Sequence, residues 1–331
     1  MTNASEPFWS VMMPVYQPDA HYFRLALEGV LQQDEGPERM QIEVVDDCSP
    51  DGDIEKMVGE IGGGRVAFSR TPKNLGLAGC WNTCIDRARG KWVHLFHQDD
   101  LVLPGFYKAM AKADSGSENV GAAFCRHAWC DGEGKKDRSS ELHRQEPGIL
   151  PQFLETIAVN QQIQTPAVVV RKSVYKALGG YRSDLRYVLD WEMWQRIASR
   201  YAFWFEPEGL AVYRIHESAE TSKLRHQALI GPDFLKMLQI CNPYYSPVKR
   251  QKLNREARKN YSRVIEYDAR KAVCRGELRL AWTSILQSAK ICFDGETLRA
   301  LFNLFALALR VHLSKAKRAI QNAGKQPIHH P

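Results

Sequence analysis

The chain passes through two regimes of apolar and polar patterning. In its first hundred residues, short apolar runs recur at residues 9–16, 42–45, 66–68 and 92–96. Such a run bounded by turn signals predicts a strand covered on both faces, as in a parallel sheet. Between them, Phe23, Leu27, Val30 and Leu31 fall three and four apart, which predicts a one-faced helix stopped at Gly36-Pro37. Helices are also expected over residues 53–61 and 79–88. Alternation at these intervals fits right-handed parallel crossovers and a nucleotide-type α/β sheet. Gly62-Gly63-Gly64 precedes a strand instead of joining a strand to a helix, so it does not qualify as a phosphate loop.

The pattern continues with helices at residues 106–113, 150–159, 173–178 and 190–198, and strands at 120–130, 165–171, 204–205 and 210–213. Beyond about residue 223 only helical spacing remains. Tyr261, Val264, Ala269 and Val273, then Leu280, Ile285 and Ile291, predict a helical hairpin turned at Gly276. Residues 298–313 are apolar but interrupted by Arg299, Asn303 and Arg310. That stretch is too short to span a bilayer, which takes roughly 20 apolar residues.

With 331 residues, 44% of them hydrophobic and 25% charged, the chain has the material for one large globular domain or two. Six of its seven net positive charges come from Arg299, Arg310, Lys315, Lys317, Arg318 and Lys325, with no acid after Glu296. A near-neutral body with a basic tail points to an anionic surface met by the C-terminus and to no nucleic-acid groove. Eight cysteines without a disulfide framework, and polar residues 1–6, lead us to expect reduced thiols in a cytoplasmic protein. Cys80 with Cys84, and Cys125 with His127 and Cys130, match no common zinc spacing and read as small buried residues.

Candidate chemistry lies where strands stop. The run at 42–45 ends in Asp46-Asp47-Cys48-Ser49-Pro50-Asp51, and the run at 92–96 ends in His97-Gln98-Asp99-Asp100. Ligands of open α/β sheets bind beyond the carboxyl ends of strands. Adjacent carboxylates call for a cation, and oxygen ligands suit Mg²⁺ or Mn²⁺ with phosphate completing the shell. The alternatives are turn chemistry for Asp46 and Asp47 and helix capping for Asp100 and Asp190.

Taken in order, Pro14-Val15-Tyr16, Val45-Asp46-Asp47, Asn74-Leu75-Gly76, Asn82, Gln98-Asp99-Asp100, Gly179-Gly180-Tyr181, Asp190-Trp191-Glu192-Met193-Trp194 and Tyr213-Arg214-Ile215-His216 resemble glycosyltransferase family 2. The resemblance covers about residues 9–222. It implies a GT-A fold, an α/β domain with a mostly parallel central sheet, whose nucleotide-binding half covers about residues 9–110 and whose acceptor half covers about 111–222. An all-helical region with a basic amphipathic tail follows over 223–331. The implied activity is inverting transfer of a sugar from a nucleotide-diphosphate donor to a hydroxyl.

Carried onto this chain, Pro14 and Tyr16 border the nucleotide, with Tyr16 stacking on the base and Asp47 accepting its ring N–H. Asn74 and Asn82 lie near the nucleotide, Asp99 faces the ribose or diphosphate, and Asp100 binds Mn²⁺ or Mg²⁺. Asp190 is the general base, Trp191 and Glu192 line the acceptor pocket, and Arg214 and His216 contact the diphosphate. A UDP-sugar is the expected donor, thymidine offering the same N–H. The expected acceptor is a cell-surface glycan or lipid-linked precursor, with residues 297–331 touching an anionic membrane. The chain departs from the family in having His97 where many members carry Asp. A catalytically silent binding module is the alternative. A nucleotidyltransferase would need a glycine-rich, lysine-bearing loop near the start.

Overall fold

The computed structural model describes residues 6–310 apart from 51, 118, 228, 305 and 309. Strands β1 (Trp9–Val15), β2 (Met40–Asp46), β3 (Ala67–Arg70) and β4 (Trp92–Leu95) lie parallel in the order β3-β2-β1-β4. Every residue of β1 and β2 is buried, which accounts for their mainly apolar runs. Three helices complete the crossovers: α1 (Ala20–Leu31), α2 (Ile54–Gly62) and α3 (Gly76–Arg87). The Asp19 carboxylate caps α1 by accepting from the His21 and Tyr22 N–H groups, worth about 1 kcal/mol. Asp53 caps α2 in the same way, and Gly63 closes it at φ 55°, a left-handed conformation glycine adopts without strain. The triple glycine is thus a helix stop.

The second half of the sheet is mixed. After β5 (Leu101–Val102) and α4 (Phe106–Met110) come β6 (Val120–Cys130), β7 (Lys136–Ser139), β8 (Gly148–Ile149), α5 (Phe153–Val159), β9 (Val168–Arg171), α6 (Lys172–Leu178), α7 (Leu189–Ala198) and β10 (Ala202–Arg214). Strand β9 inserts antiparallel between β4 and β6, while β6 and β10 run parallel. Parallel pairing therefore governs the nucleotide half. The two strands expected at 204–205 and 210–213 are one, β10, whose register slips between Glu206 and Ala211. Pro207 and Gly209, which read as a turn, sit inside that irregularity, where a missing donor is tolerated.

Helices α8 (Glu220–His226), α9 (Ile230–Cys241), α10 (Pro247–Arg275) and α11 (Leu278–Ile291) follow. The expected hairpin is α10 with α11, turned at Gly276 with φ 84°. Its inward stripe is Tyr261, Ile265, Ala269 and Val273, whereas Val264, expected to face in, is exposed. Helices α9 and α10 share one core with α5 and α7: Trp191 stacks on Phe234, and Phe234 on Tyr261 with ring centroids 4.0 Å apart. Residues 295–304 are helical. There Leu304 is buried against Ala269, Val273 and Ile285, while Leu298 and Phe302 face outward. Residues 311–331 of the expected basic tail lie outside the described residues. No helix among the described residues is long and apolar enough to cross a membrane.

Candidate active site

The carboxyl ends of β1, β2 and β4 meet the head of α3 and the start of α7. The Phe96 N–H donates to the Met12 carbonyl, so even positions of β1 offer their backbone toward β4. Pairing with β4 ends at Met12, and the donor Pro14 lacks falls beyond it, where nothing in the ladder needs it. Next, the Tyr16 N–H donates to Gln98 Oε1 at 2.8 Å and Gln98 Nε2 donates to the Tyr16 carbonyl at 3.3 Å. Gln98 thereby ties the loop after β1 to the loop after β4. The Tyr16 ring remains 40% exposed, free to stack on a ligand.

The acids after β2 are fully engaged by the protein. Asp46 accepts from the Ser49 N–H and hydroxyl and from Arg70 Nε at 2.6 Å. Asp47 accepts from the Leu75 N–H at 2.8 Å, the Gly76 N–H at 2.9 Å and the Thr71 hydroxyl at 3.1 Å. The N-cap residue Leu75 has no side chain able to cap α3. Asp47 does so from β2, where a carboxylate also meets the positive end of the helix dipole. Asn74 shares the Gly76 N–H at 3.0 Å on the surface. Asn82 does not present its amide to a nucleotide. It pairs with the Tyr181 backbone in both directions, at 2.9 and 2.7 Å, and so locks α3 to the segment leading into α7.

The acids after β4 are different. Asp100 is 1% exposed; its Oδ1 accepts from the Arg214 N–H at 2.9 Å, but Oδ2 is buried without a hydrogen-bond partner. Burial pushes its carboxyl up to about 6, against the opposing pull of His97. His97 Nδ1 lies 3.6 Å from that Oδ2. Burial lowers the imidazole pKa, yet Asp100, Asp99 and Asp190 together hold it above its ordinary value. Asp99 Oδ2 pairs with His216 Nε2 at 2.8 Å, and His216 Nδ1 meets the Ser218 hydroxyl at 2.8 Å. Ligand atoms of His97, Asp99 and Asp100 lie within 4.8 Å of one another. An orphaned buried acceptor costs about 1–3 kcal/mol. The donor set suits a divalent cation.

Arg214 does not stand free to bind a diphosphate. Its Nε donates to the Asp99 carbonyl at 3.0 Å and Nη1 to the Asp131 and Gly132 carbonyls at 3.3 Å, with the guanidinium 4.5 Å from the Tyr22 ring centroid. It is a strut joining β10, the β6–β7 turn and the β4–β5 loop. His216 reaches the site through Asp99.

Asp190, in the first turn of α7, completes the cleft. Its Oδ1 accepts from the Trp191 N–H and its Oδ2 from Gln161 Nε2, both at 2.7 Å. The segment entering the helix is anchored from elsewhere: Asp233 on α9 accepts from the Arg186, Tyr187 and Val188 N–H groups. Burial raises the Asp190 carboxyl to about 6, with the Trp191 N–H and the charge of His97 acting against it. Asp190 therefore lies within electrostatic reach of the β4 cluster. Trp81 packs against both His97, at 4.9 Å, and Tyr181, at 4.7 Å between ring centroids. The expectation for Trp191 and Glu192 is corrected. Trp191 is buried, donating to the Ile157 carbonyl and stacking on Phe234. Glu192 is fully buried between Arg196 at 2.6 Å and the Tyr244 hydroxyl at 2.8 Å. Both neighbours of Asp190 along α7 are buried in the core. Gln161 and Asp233 were not anticipated, and Gln98 and Tyr181 were read only as members of their motifs, since each acts on a residue far away in sequence.

The glycosyl transferase family 2 profile matches residues 10–178, from β1 through α6 with the whole β4 cluster. The chain belongs to glycosyltransferase family 2. Asp190, Arg214 and His216 lie beyond the matched segment. A similar protein of this family 2 enzyme is the uncharacterised MT1568 of Mycobacterium tuberculosis, 30% identical over 233 residues, covering 67% of this chain and 72% of that one. The uncharacterised glycosyltransferase MJ1057 of Methanocaldococcus jannaschii is 24% identical over 251 residues, covering 72% and 84%. Among solved structures, S. aureus TarS in complex with UDP-GlcNAc superposes with a TM-score of 0.59 at 16% identity, over 94% of this chain and 88% of that one. The mannosyltransferase PcManGT from Pyrobaculum calidifontis, in complex with GDP-Man and Mn²⁺, gives 0.56 at 18% identity, over 95% and 84%. These likenesses establish the GT-A fold with its helical C-terminal part.

Proposed function

We propose that this family 2 glycosyltransferase inverts the anomeric centre, moving a sugar from a UDP-sugar to a hydroxyl of a cell-surface glycan or lipid-linked precursor, with Asp190 as general base. The observation that carries this is the pairing of the buried Asp100 with the half-buried Asp190, whose carboxyls are each raised to about 6 and both act on His97. They come from opposite halves of the domain. Asp100 holds the donor end, and Asp190 faces the acceptor. Tyr16 stacks on the base, and Asp99, steadied by His216, borders the diphosphate.

A carboxyl that titrates near 6 is ionised at neutral pH yet basic enough to accept a proton, which is what a general base needs. The acceptor oxygen forms its bond to the anomeric carbon as the bond to the diphosphate breaks, and Asp190 takes the hydroxyl proton. Gln161 and the Trp191 N–H keep the carboxylate oriented for that transfer. A divalent ion bound at Asp100 would supply Lewis-acid neutralisation of the leaving diphosphate. The UDP-GlcNAc bound by TarS supports the choice of UDP, and the Mn²⁺ with PcManGT supports the cation. The division at about residue 222 is kept as a boundary of function, with donor and acceptor machinery before it. The outward-facing Leu298 and Phe302, continued by the basic residues 315–325, support contact with an anionic membrane; deleting residues 311–331 should abolish co-sedimentation with anionic vesicles.

The test is a sugar-nucleotide screen that follows nucleoside diphosphate release and the product's anomeric configuration by proton NMR. Release with inversion, lost by about 10²-fold or more in a folded Asp190→Asn variant, supports the reading. Retention of configuration, or an active Asp190→Asn, contradicts it. Tight binding without turnover would favour a silent module.

A further inference from the structure

We infer that His97 supplies a nitrogen ligand to the divalent cation held at Asp100, so that the site discriminates in favour of Mn²⁺ over Mg²⁺. The inference rests on the donor-site reading above and adds a second protein ligand of a different chemical kind to it. Where the family resemblance supplies a carboxylate, this chain supplies an imidazole.

Three observations carry it. His97 Nδ1 and Asp100 Oδ2 are 3.6 Å apart, beyond hydrogen-bond length. Two ligands about 2.1 Å from one ion span about 3.0 Å at right angles and up to about 4.2 Å when opposed, so the gap is the width of a shared cation. Second, Asp100 is 1% exposed and its Oδ2 has no partner, so a buried acceptor aims into that gap unsatisfied. Third, the ring is already held. Trp81 packs 4.9 Å from it between centroids, and Asp99, the remaining member of the cluster, has one oxygen committed to His216.

The chemistry of the donor set sets the preference. Mg²⁺ takes oxygen ligands in near-ideal octahedral geometry and gives up water reluctantly. Mn²⁺, as a transition ion, accepts an imidazole nitrogen more readily than Mg²⁺ does, although less strongly than the ions after it in the row. Exchanging a carboxylate for an imidazole removes a hard anionic ligand and adds a neutral nitrogen. That change weakens Mg²⁺ more than Mn²⁺.

The experiment uses the full chain with UDP and one equivalent of Mn²⁺, read by electron spin-echo envelope modulation, alongside calorimetric titration of Mn²⁺ and of Mg²⁺. The native protein should show ¹⁴N modulation from a directly bound nitrogen. His97→Asp should lose that modulation and lower the Mn²⁺-to-Mg²⁺ affinity ratio by about tenfold. His97→Gln should lose the modulation and bind Mn²⁺ about tenfold more weakly. Near-ultraviolet circular dichroism confirms that each variant is folded, and a native spectrum without nitrogen modulation overturns the ligand even if neither is. Mn²⁺ bound without nitrogen modulation, or an unchanged ratio in folded His97→Asp, overturns the ligand and leaves the donor site standing. No Mn²⁺ binding in the presence of UDP overturns both.

Discussion

Asp46-Asp47 and Asp99-Asp100 are the same sequence event, two acids where a parallel strand ends, and the molecule treats them in opposite ways. After β2, hydroxyls, backbone N–H groups and Arg70 take up both carboxylates, and Asp47 becomes the cap of α3. After β4, Asp100 keeps one buried oxygen without a partner, and its carboxyl is pushed up to about 6. The first pair holds the loops that shape the cleft. The second pair leaves an unmet need inside it. An acid pair at a strand end therefore signals function only where the protein declines to satisfy it.

This contrast can be broken by substitution. Asp100→Asn should cost transfer about 10³-fold, because several kcal/mol of charge stabilisation disappear, while leaving thermal stability equal or higher; a van't Hoff melt beside the activity assay checks both. Asp46→Asn should do the reverse. Its buried carboxylate serves Ser49 and Arg70, so the variant should lose about 1–3 kcal/mol of stability while its folded fraction retains donor affinity. Equal behaviour of the two variants would erase the distinction.

The pH profile gives a smaller effect. Asp190 must be ionised to act, so kcat/KM should rise about tenfold per pH unit below about 6 and level off above it. The sign for stability is opposite. A folded pKa above the ordinary carboxylate value means that ionisation is disfavoured in the native state, so stability should fall as pH rises from about 4 through about 6. Asp190→Asn should remove its share of that slope and leave the share of Asp100, which is also raised to about 6. Smallest of all, Gln161→Ala deletes a hydrogen bond that favours the ionised form. The limb should move upward by a fraction of a unit, with a few-fold loss of rate at neutral pH.

Much of the scaffold could be read from residue patterns because burial writes itself locally. β1 and β2 are buried throughout and so appear as mainly apolar runs, and Gly276 ends α10 where the hairpin was expected. β10 escaped because Pro207 and Gly209 mark an irregularity with the same residues that mark a turn. Within the site, Asp100 and Asp190 could be singled out, but their surroundings could not. Asn82 meets Tyr181 at 99 residues' separation, Gln98 meets Tyr16 at 82 and Asp233 meets Val188 at 45. No local spacing encodes such contacts. Trp191 and Glu192 were misplaced for the same reason, since only the packing of α9 and α10 against α7 shows which faces of that helix are covered.

The most direct measurement is calorimetric titration of UDP with Mn²⁺ into native, Asp100→Asn and Asp46→Asn protein under conditions where all three are folded. Binding is expected for the native and Asp46→Asn proteins, with its loss, by at least about tenfold, in Asp100→Asn. Undiminished binding by Asp100→Asn would contradict that expectation.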